Sequence, residues 1–92
     1  MLTEHDEMVI QALARKYGAR RVLLFGSMAR EDGVGRDIDL AVSGIAAADF
    51  FSFYGELMYA IAIPVDLVDL DKDSQFTRLI QKEGIPVYEQ AA

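Results

Sequence analysis

The chain has 92 residues, of which 52% are hydrophobic and none is cysteine, and it carries a net charge of −6. This length and composition predict one small folded domain spanning residues 1–92, and they exclude disulfides and thiolate zinc sites. The apolar runs are too short to cross a membrane, and the net negative charge disfavours binding to extended nucleic acid. We therefore expect a cytoplasmic protein that binds neither a membrane nor extended nucleic acid.

The first predicted element is a helix that begins at Thr3 and ends at Gly18. Thr3 followed by Asp6 is typical of a helix N-cap, and a glycine commonly ends a helix. Apolar residues recur at four-residue spacing along one face, namely Val9, Leu13 and Tyr17. We expect this face to pack on the core.

Residues 21–25, with the sequence RVLLF, predict a buried strand, and Gly26 and Ser27 then turn the chain into a short helix predicted over 28–31. Such a turn presents backbone N–H groups and a small hydroxyl, with no Cβ at Gly26 to keep a phosphate away. Arg30 can add a charge-assisted contact. Alternatives stay open, because Ser27 also fits a plain N-cap and Arg30 a plain surface charge.

The charges are unevenly distributed along the chain. Residues 1–30 carry five basic and three acidic side chains, a net +2, while residues 31–92 carry four basic and twelve acidic ones, a net −8. This asymmetry indicates a local anion site in a protein that repels polyanions. A single nucleoside triphosphate with its metal ion fits that pattern.

Residues 37–42, DIDLAV, follow a loop at 31–35 and predict a second strand. Because strand side chains alternate, Asp37 and Asp39 share one face while the apolar residues take the other. Two adjacent carboxylates repel each other unless a cation neutralises them, and oxygen ligands without nearby His or Cys suit Mg²⁺ or Mn²⁺. A strand start and a surface turn residue are the plainer interpretation of the two aspartates.

A second long helix is predicted over 47–62, before the chain exits at Pro64. Its apolar stripe comprises Phe50, Tyr54, Leu57, Met58 and Ile61. The run FFSFY at 50–54 has more large rings than one helical face can bury. Any exposed ring would favour a protein partner or a homodimer.

The segment 64–70, PVDLVDL, predicts a third strand that carries a further carboxylate. A two-metal phosphoryl-transfer site needs an acidic ligand near the attacking hydroxyl as well as near the triphosphate. Asp66 is the better candidate because its apolar neighbours in the strand take the opposite face. Asp69 falls on that apolar face and ranks second. The alternative is that Asp66 is a solvated residue of an edge strand.

The last helix is predicted to begin at Asp73 or Ser74 and to end at Gly84. Its apolar face consists of Phe76, Leu79 and Ile80. Residues 85–89, IPVYE, predict a short terminal strand. The alternation of helices and strands favours one sheet covered by helices.

The stretch GSMAREDGVGRDIDLAV at 26–42, followed by VDLV at 65–68, resembles the minimal nucleotidyltransferases of the DNA polymerase beta superfamily. That group has Gly-Ser, then Asp-x-Asp, then a third Asp on a later strand, and often a Glu-Gly-x-x-x-Tyr end, matched here by EGIPVYE at 83–89. The resemblance covers nearly the whole chain. It implies a polymerase-beta-like nucleotidyltransferase fold of the α+β class, with a single small mixed β-sheet and helices packed on it.

The resemblance also implies roles for individual residues. Gly26 and Ser27 would bind the nucleotide phosphates, and Asp37 and Asp39 would hold Mg²⁺. Asp66 would complete a second metal site and help to deprotonate the acceptor hydroxyl. The implied chemistry is an in-line attack on the α-phosphate of a nucleoside triphosphate, with pyrophosphate leaving. We therefore expect a Mg²⁺-dependent nucleotidyltransferase, with Mn²⁺ as an alternative ion and ATP as the donor.

Many proteins of this group resemble antitoxins paired with a HEPN-domain partner, a helical RNase that some of them adenylylate on a tyrosine hydroxyl. The expected reaction is therefore transfer of AMP to a hydroxyl of such a partner protein. A second hypothesis is a non-catalytic antitoxin that neutralises the HEPN-type partner by contact alone. Transfer to RNA or DNA is a third hypothesis, which the net charge weakens.

Two positions depart from the family pattern. Glu31 stands where the family usually has Gly, and Arg36 stands where it has Ser or Thr. Glu31 adds negative charge near an incoming phosphate, while Arg36 beside Asp37 can compensate or can pair with a carboxylate when no metal is bound. The three aspartates and the Gly-Ser pair are intact.

Overall fold

The computed structural model describes residues 2–30 and 36–91, so the loop predicted at 31–35 lies outside the described residues. The helices are α1 (Glu4–Lys16), α2 (Ala47–Ala60) and α3 (Gln75–Glu83), and the strands are β1 (Arg21–Phe25), β2 (Ile38–Ser43), β3 (Val65–Asp69) and β4 (Ile85–Glu89). A short 3-10 helix spans Ser27–Ala29 between β1 and β2. Within the described ranges, no helix has both the length and the apolar character needed to cross a membrane.

The four strands form one sheet in the order β3-β2-β1-β4. β1 pairs antiparallel with both β2 and β4, whereas β2 pairs parallel with β3. A parallel pair needs a crossover connection, which α2 provides. The prediction of a small mixed sheet with helices packed on it is therefore confirmed.

The first helix begins as its sequence predicts. The Thr3 hydroxyl accepts a hydrogen bond from the Asp6 N–H at 3.0 Å, which satisfies one of the free donors at the helix start. The residues that α1 buries completely are Ile10 and Ala14. The predicted stripe of Val9, Leu13 and Tyr17 lies beside them and is partly buried. The chain leaves the helix through Gly18, whose φ of 69° suits a residue without Cβ.

The two faces of the sheet are covered differently. One face packs against α1 and α2 in the main core, which includes Val22, Leu40, Leu67, Ile10 and Phe53. The other face holds a smaller cluster under α3, formed by Leu23, Ala41, Leu70 and Ile80. Because strand side chains alternate, Asp39 and Asp66 fall on this second face.

The packing of α2 corrects the predicted apolar stripe. The helix ends at Ala60 and not at 62, and its buried residues are Phe53 and Leu57. Met58, a member of the predicted stripe, is 52% exposed, while Phe51 is 78% and Tyr59 94% exposed. The helix packs on the sheet through the face that carries Phe53, so these three side chains point towards solvent. The prediction that some rings of this helix are exposed is confirmed.

The last helix begins at Ser74, one of the two predicted caps. The Ser74 hydroxyl accepts from the Thr77 N–H at 3.0 Å and the Thr77 hydroxyl accepts from the Ser74 N–H at 2.9 Å, a reciprocal capping arrangement. Asp73 instead forms an exposed ion pair with Arg78 at 2.7 Å. Of the predicted apolar face, Ile80 is buried, whereas Phe76 and Leu79 are half exposed.

Candidate active site

The parallel pairing of β2 with β3 brings two of the predicted carboxylates together. Asp39 and Asp66 are partners in the register of these strands. Partners across a parallel ladder point to the same face, so the two side chains are immediate neighbours. The sequence alone does not contain this pairing, because it depends on which strands lie side by side.

The third predicted carboxylate, Asp37, lies in a bend just before β2 and is exposed. It is near enough to act on Asp39 electrostatically. Partial burial, followed by the negative charges of Asp66 and then Asp37, raises the pKa of the Asp39 carboxyl above its ordinary value. Asp39 is therefore a partly buried member of an acidic cluster at one end of the second face of the sheet.

The donor set of this cluster suits a hard divalent cation. Its ligands are carboxylate oxygens, which Mg²⁺ and Mn²⁺ prefer. A cation would relieve the repulsion by Asp66 and Asp37, which adds to burial in raising the pKa of Asp39. In residues 2–30 and 36–91, no three acidic, histidine or cysteine side chains are yet arranged as a ligand set. The residue types therefore fit the ion, while the ligand geometry is not preformed and the exposed side chains of Asp37 and Asp66 would have to turn towards it.

Gly26 is required at its position for two reasons. Its φ of 73° and ψ of −153° fall in a region of backbone space that is essentially restricted to glycine. A Cβ at this position would also lie only 3.0 Å from Asp39 Cγ and closer still to a carboxylate oxygen. Gly26 therefore leaves the space that the Asp39 carboxylate occupies.

Ser27 and Arg30 follow on a single 3-10 turn, shorter than the predicted helix over 28–31. The N-cap of this turn is Gly26, so Ser27 is its first residue and not the plain N-cap that the sequence left open. The Arg30 N–H donates to the Ser27 carbonyl at 3.2 Å, and Arg30 then continues in an extended conformation. Ser27 therefore directly follows the glycine beside Asp39, and Arg30 ends the same turn.

Asp69 and Arg36 lie outside the paired carboxylates. Asp69 pairs with Val42 at the far end of the ladder, and its carboxylate accepts from the Asp71 N–H at 2.9 Å. Arg36 is exposed, and the ion pairs among the described residues do not include it. The ion pair considered for Arg36 from the sequence is thus not formed with any described carboxylate.

Two recesses lie near the paired aspartates, and no motif in the sequence predicted either of them. The first is an open groove of about 250 Å³ between the 3-10 turn and α3; its lining includes Phe25, Gly26, Arg30, Phe76, Leu79 and Glu83. The second, of about 400 Å³, lies between the end of α2 and β3; its lining includes Tyr54, Met58, Pro64 and Asp66. The Tyr54 hydroxyl donates to the Val65 carbonyl at 2.9 Å and holds the wall of the second recess in place. The wide apolar face of α3 was the one sequence signal for the first groove.

Comparison with protein families gives a match over almost the whole chain. The family model described as polymerase beta, nucleotidyltransferase matches residues 7–92. A search among curated proteins found no match.

Several solved structures share the fold. The crystal structure of the toxin-antitoxin MntA-HepT has a TM-score of 0.71 and 23% identity, covering 96% of this chain and 74% of that one. A toxin-antitoxin crystal structure with AMP-PNP has a TM-score of 0.72 and 22% identity, covering 96% and 75%. A rebuilt structure of the tri-AMPylated Shewanella oneidensis HEPN toxin with the MNT antitoxin has a TM-score of 0.66 and 28% identity, covering 92% and 71%. These matches agree with the polymerase-beta-like fold that the motifs implied.

Proposed function

Because the chain belongs to the polymerase beta nucleotidyltransferase family, we propose that it transfers AMP from ATP to a hydroxyl of a HEPN-type partner protein in the presence of Mg²⁺. The observation that carries this proposal is the pairing of Asp39 with Asp66 beside Gly26. Two of the similar structures support the choice of donor and acceptor. One was solved with AMP-PNP, and another contains a tri-AMPylated HEPN toxin.

Asp66 is assigned to the acceptor hydroxyl. Its side chain is exposed at the edge of the second recess and can accept the proton of an incoming hydroxyl. The hydroxyl oxygen then attacks the α-phosphorus of ATP. A new P–O bond forms as the bond to the bridging oxygen of the β-phosphate breaks, and pyrophosphate leaves. The abstracted proton passes from Asp66 to solvent.

Asp37, Asp39 and Asp66 would hold Mg²⁺, since their oxygen donors suit it. When bound, the ion would neutralise negative charge on the phosphates. Asp39 is the central ligand in this assignment because it adjoins both Asp66 and Gly26. Its partial burial holds the carboxylate in one place while the two exposed aspartates adjust.

The phosphates of the donor are assigned to the turn after β1. Gly26 allows close approach of a phosphate, because no Cβ stands beside its backbone. The Ser27 hydroxyl can donate a hydrogen bond to a phosphate oxygen, and the Arg30 guanidinium can form a charge-assisted one. Together they orient the α-phosphate towards the acceptor at Asp66, so that the reacting atoms are held in line.

The test is intact-mass spectrometry of the HEPN-type protein encoded by the neighbouring gene, after incubation with this protein, Mg²⁺ and each nucleoside triphosphate in turn. We expect a gain of one or more AMP units with ATP. Asp39→Asn should abolish the gain. The matched control is Asp73→Asn, which makes the same change of charge at an exposed ion pair outside the site. If the wild-type protein adds no nucleotide from any of the four triphosphates, the proposal is wrong.

The second candidate function is neutralisation of the partner by contact alone. The observation that favours it is the exposure of Phe51 and Tyr59 on α2, since exposed rings are typical of protein interfaces. The discriminating measurement is growth of cells that express the partner together with the Asp39→Asn variant. Protection by a variant that transfers no AMP would support contact alone. Loss of protection, with the complex still formed, would exclude it.

A further inference from the structure

The fold leaves half of the apolar face of α3 unused. Ile80 is 3% exposed and packs on Leu23 and Ala41 of the sheet, but Phe76 is 52% and Leu79 50% exposed. Burying such side chains is favourable, because apolar surface removed from water contributes roughly 25 cal/mol per Å². The buried residues of α3 are Thr77 and Ile80, and two neighbouring large apolar side chains left half exposed beside them favour a binding surface.

These two side chains form one wall of the first groove. The Phe76 ring meets the Phe25 ring edge to face, with ring centroids 5.7 Å apart and an interplanar angle of 82°. Leu79 continues the wall, and Gly26 with Arg30 forms the opposite side. The groove of about 250 Å³ is thus lined by apolar and aromatic groups on one side and by the end of the 3-10 turn on the other.

The groove opens directly beside the paired carboxylates. Phe25, at its floor, is the register partner of Asp39 on the antiparallel side of β2. Gly26, at its rim, lies against the Asp39 carboxylate. A ligand in this groove would therefore have one part on Phe76 and Leu79 and another beside the turn assigned to the phosphates.

The charges at the rim agree with a small anionic ligand. Arg30 and Glu83 border the groove, and neither forms an ion pair with another side chain of the described ranges. Arg30 can meet a phosphate, and Glu83 can accept a hydrogen bond from an amino group. A ligand with a flat apolar ring, an amino edge and a phosphate chain matches this combination.

We propose that the groove between the 3-10 turn and α3 binds the nucleobase of ATP, with the ring packed on Phe76 and Leu79. The inference deepens the proposed function and rests on it, because it places the base of the same donor. It also makes α3 the element that determines donor specificity.

The test is isothermal titration calorimetry of the folded protein in excess Mg²⁺, with ATP and with inorganic tripolyphosphate as probes. Phe76→Ala and Leu79→Ser should each weaken ATP binding about ten-fold or more, as removal of a base-packing side chain does. Tripolyphosphate, which has no base, should bind these variants as it binds the wild type. Met8→Ala is the control, because Met8 is an exposed apolar side chain of α1 outside the groove. Circular dichroism checks that each variant is folded, and Leu79→Ser keeps the test valid if Phe76→Ala disturbs the ring pair with Phe25.

Unchanged ATP affinity in both groove variants would overturn the inference and leave the proposed transferase intact. Equal weakening of ATP and tripolyphosphate would also overturn it, because the groove would then act on the phosphates. Unchanged ATP affinity with lost transfer would assign the groove to the acceptor protein instead. Groove-dependent ATP binding without any transfer would support the base site while contradicting the proposed function. Lack of ATP binding by the wild type would overturn both.

Discussion

At the scale of single residues, the site depends on Asp39 and on the glycine beside it. Asp39 is the carboxyl whose pKa is raised, first by burial and then by Asp66 and Asp37. Gly26 adopts a backbone conformation that other residues avoid and leaves room for the Asp39 side chain. The Asp39 carboxylate is thus electrostatically unfavourable in the absence of a cation. Gly26 leaves the space that this carboxylate occupies.

Gly26→Ala is expected to damage both stability and nucleotide binding. The new Cβ would be forced against Asp39 in a strained backbone conformation, so we expect a loss of about 1–3 kcal/mol in the free energy of unfolding. Urea denaturation and ATP titration measure the two effects. Gly55→Ala is the control, because it adds a Cβ in open space on α2 and should stabilise the protein by about 0.5–1 kcal/mol. A Gly26→Ala protein as stable as the wild type would contradict the steric role.

The raised pKa of Asp39 predicts how stability depends on pH. Between the unfolded value of 3.8 and the higher folded value, the folded protein binds more protons than the unfolded one. The free energy of unfolding therefore falls as pH rises through this window, and the contribution of Asp39 stays unfavourable at neutral pH without metal. We expect Asp39→Asn to remove this fall and to be more stable than the wild type at pH 7. Urea denaturation in a chelator, at several pH values, measures both; parallel curves for the two proteins would contradict the prediction.

At the scale of elements, the helices cover different faces of the sheet. α1 and α2 cover the face of the sheet that forms the main core, and α3 covers part of the face that carries Asp39 and Asp66. A longer α3 packed fully on the sheet would close the groove beside Gly26. The outer face of α2 has no such covering and presents Phe51 and Tyr59. The helices therefore differ in how much of their apolar surface the fold itself uses.

The exposed rings of α2 are expected to contact the partner protein. Replacing Phe51 and Tyr59 with Ser should weaken the complex with the HEPN-type partner at least ten-fold, as loss of interface hot spots does. Stability of the isolated protein should be unchanged, because both side chains are exposed. Calorimetric titration with the partner measures the affinity. Ser52→Ala on the same helix is the control, and gel filtration shows whether the rings instead join two copies of this chain.

At the scale of the whole molecule, the mixed sheet places all three aspartates at one end. β2 and β3 are separated in sequence by α2, yet they lie side by side and parallel. Gly26 reaches the same place because β1 runs antiparallel to β2 and ends where β2 begins. The net charge of −6 makes the molecule as a whole repel a long polyanion, so a small donor neutralised by Mg²⁺ is favoured over one.

This charge distribution predicts that single-stranded RNA does not bind appreciably at moderate ionic strength. Nucleic-acid affinity rests on many basic contacts to phosphates, and the second half of the chain is strongly acidic. Fluorescence anisotropy of a labelled oligonucleotide measures the binding, with ATP and Mg²⁺ as the positive control. Tight, salt-sensitive RNA binding would favour the hypothesis of transfer to nucleic acid.

Much of the fold and of the candidate site was predictable from the sequence, because the signals are local. Thr3 and Ser74 are typical N-cap residues, because a hydroxyl at this position can accept from the free N–H groups of the first turn. Both N-cap hydrogen bonds are formed. The alternation around Asp39 and around Asp66 determines the face that each carboxylate takes. Gly-Ser, Asp-x-Asp and the third aspartate thus led to the hypothesis of nucleotidyl transfer from local patterns alone.

Only the tertiary structure decided which of these residues are neighbours and which apolar side chains stay exposed. Asp39 and Asp66 are neighbours because β2 pairs with β3, although α2 separates the two strands in sequence. Phe76 is half exposed because α3 covers only part of the sheet. Such contacts join residues that are distant in sequence. Periodicity describes one element at a time, whereas pairing and coverage are decided by the free energy of packing all the elements together.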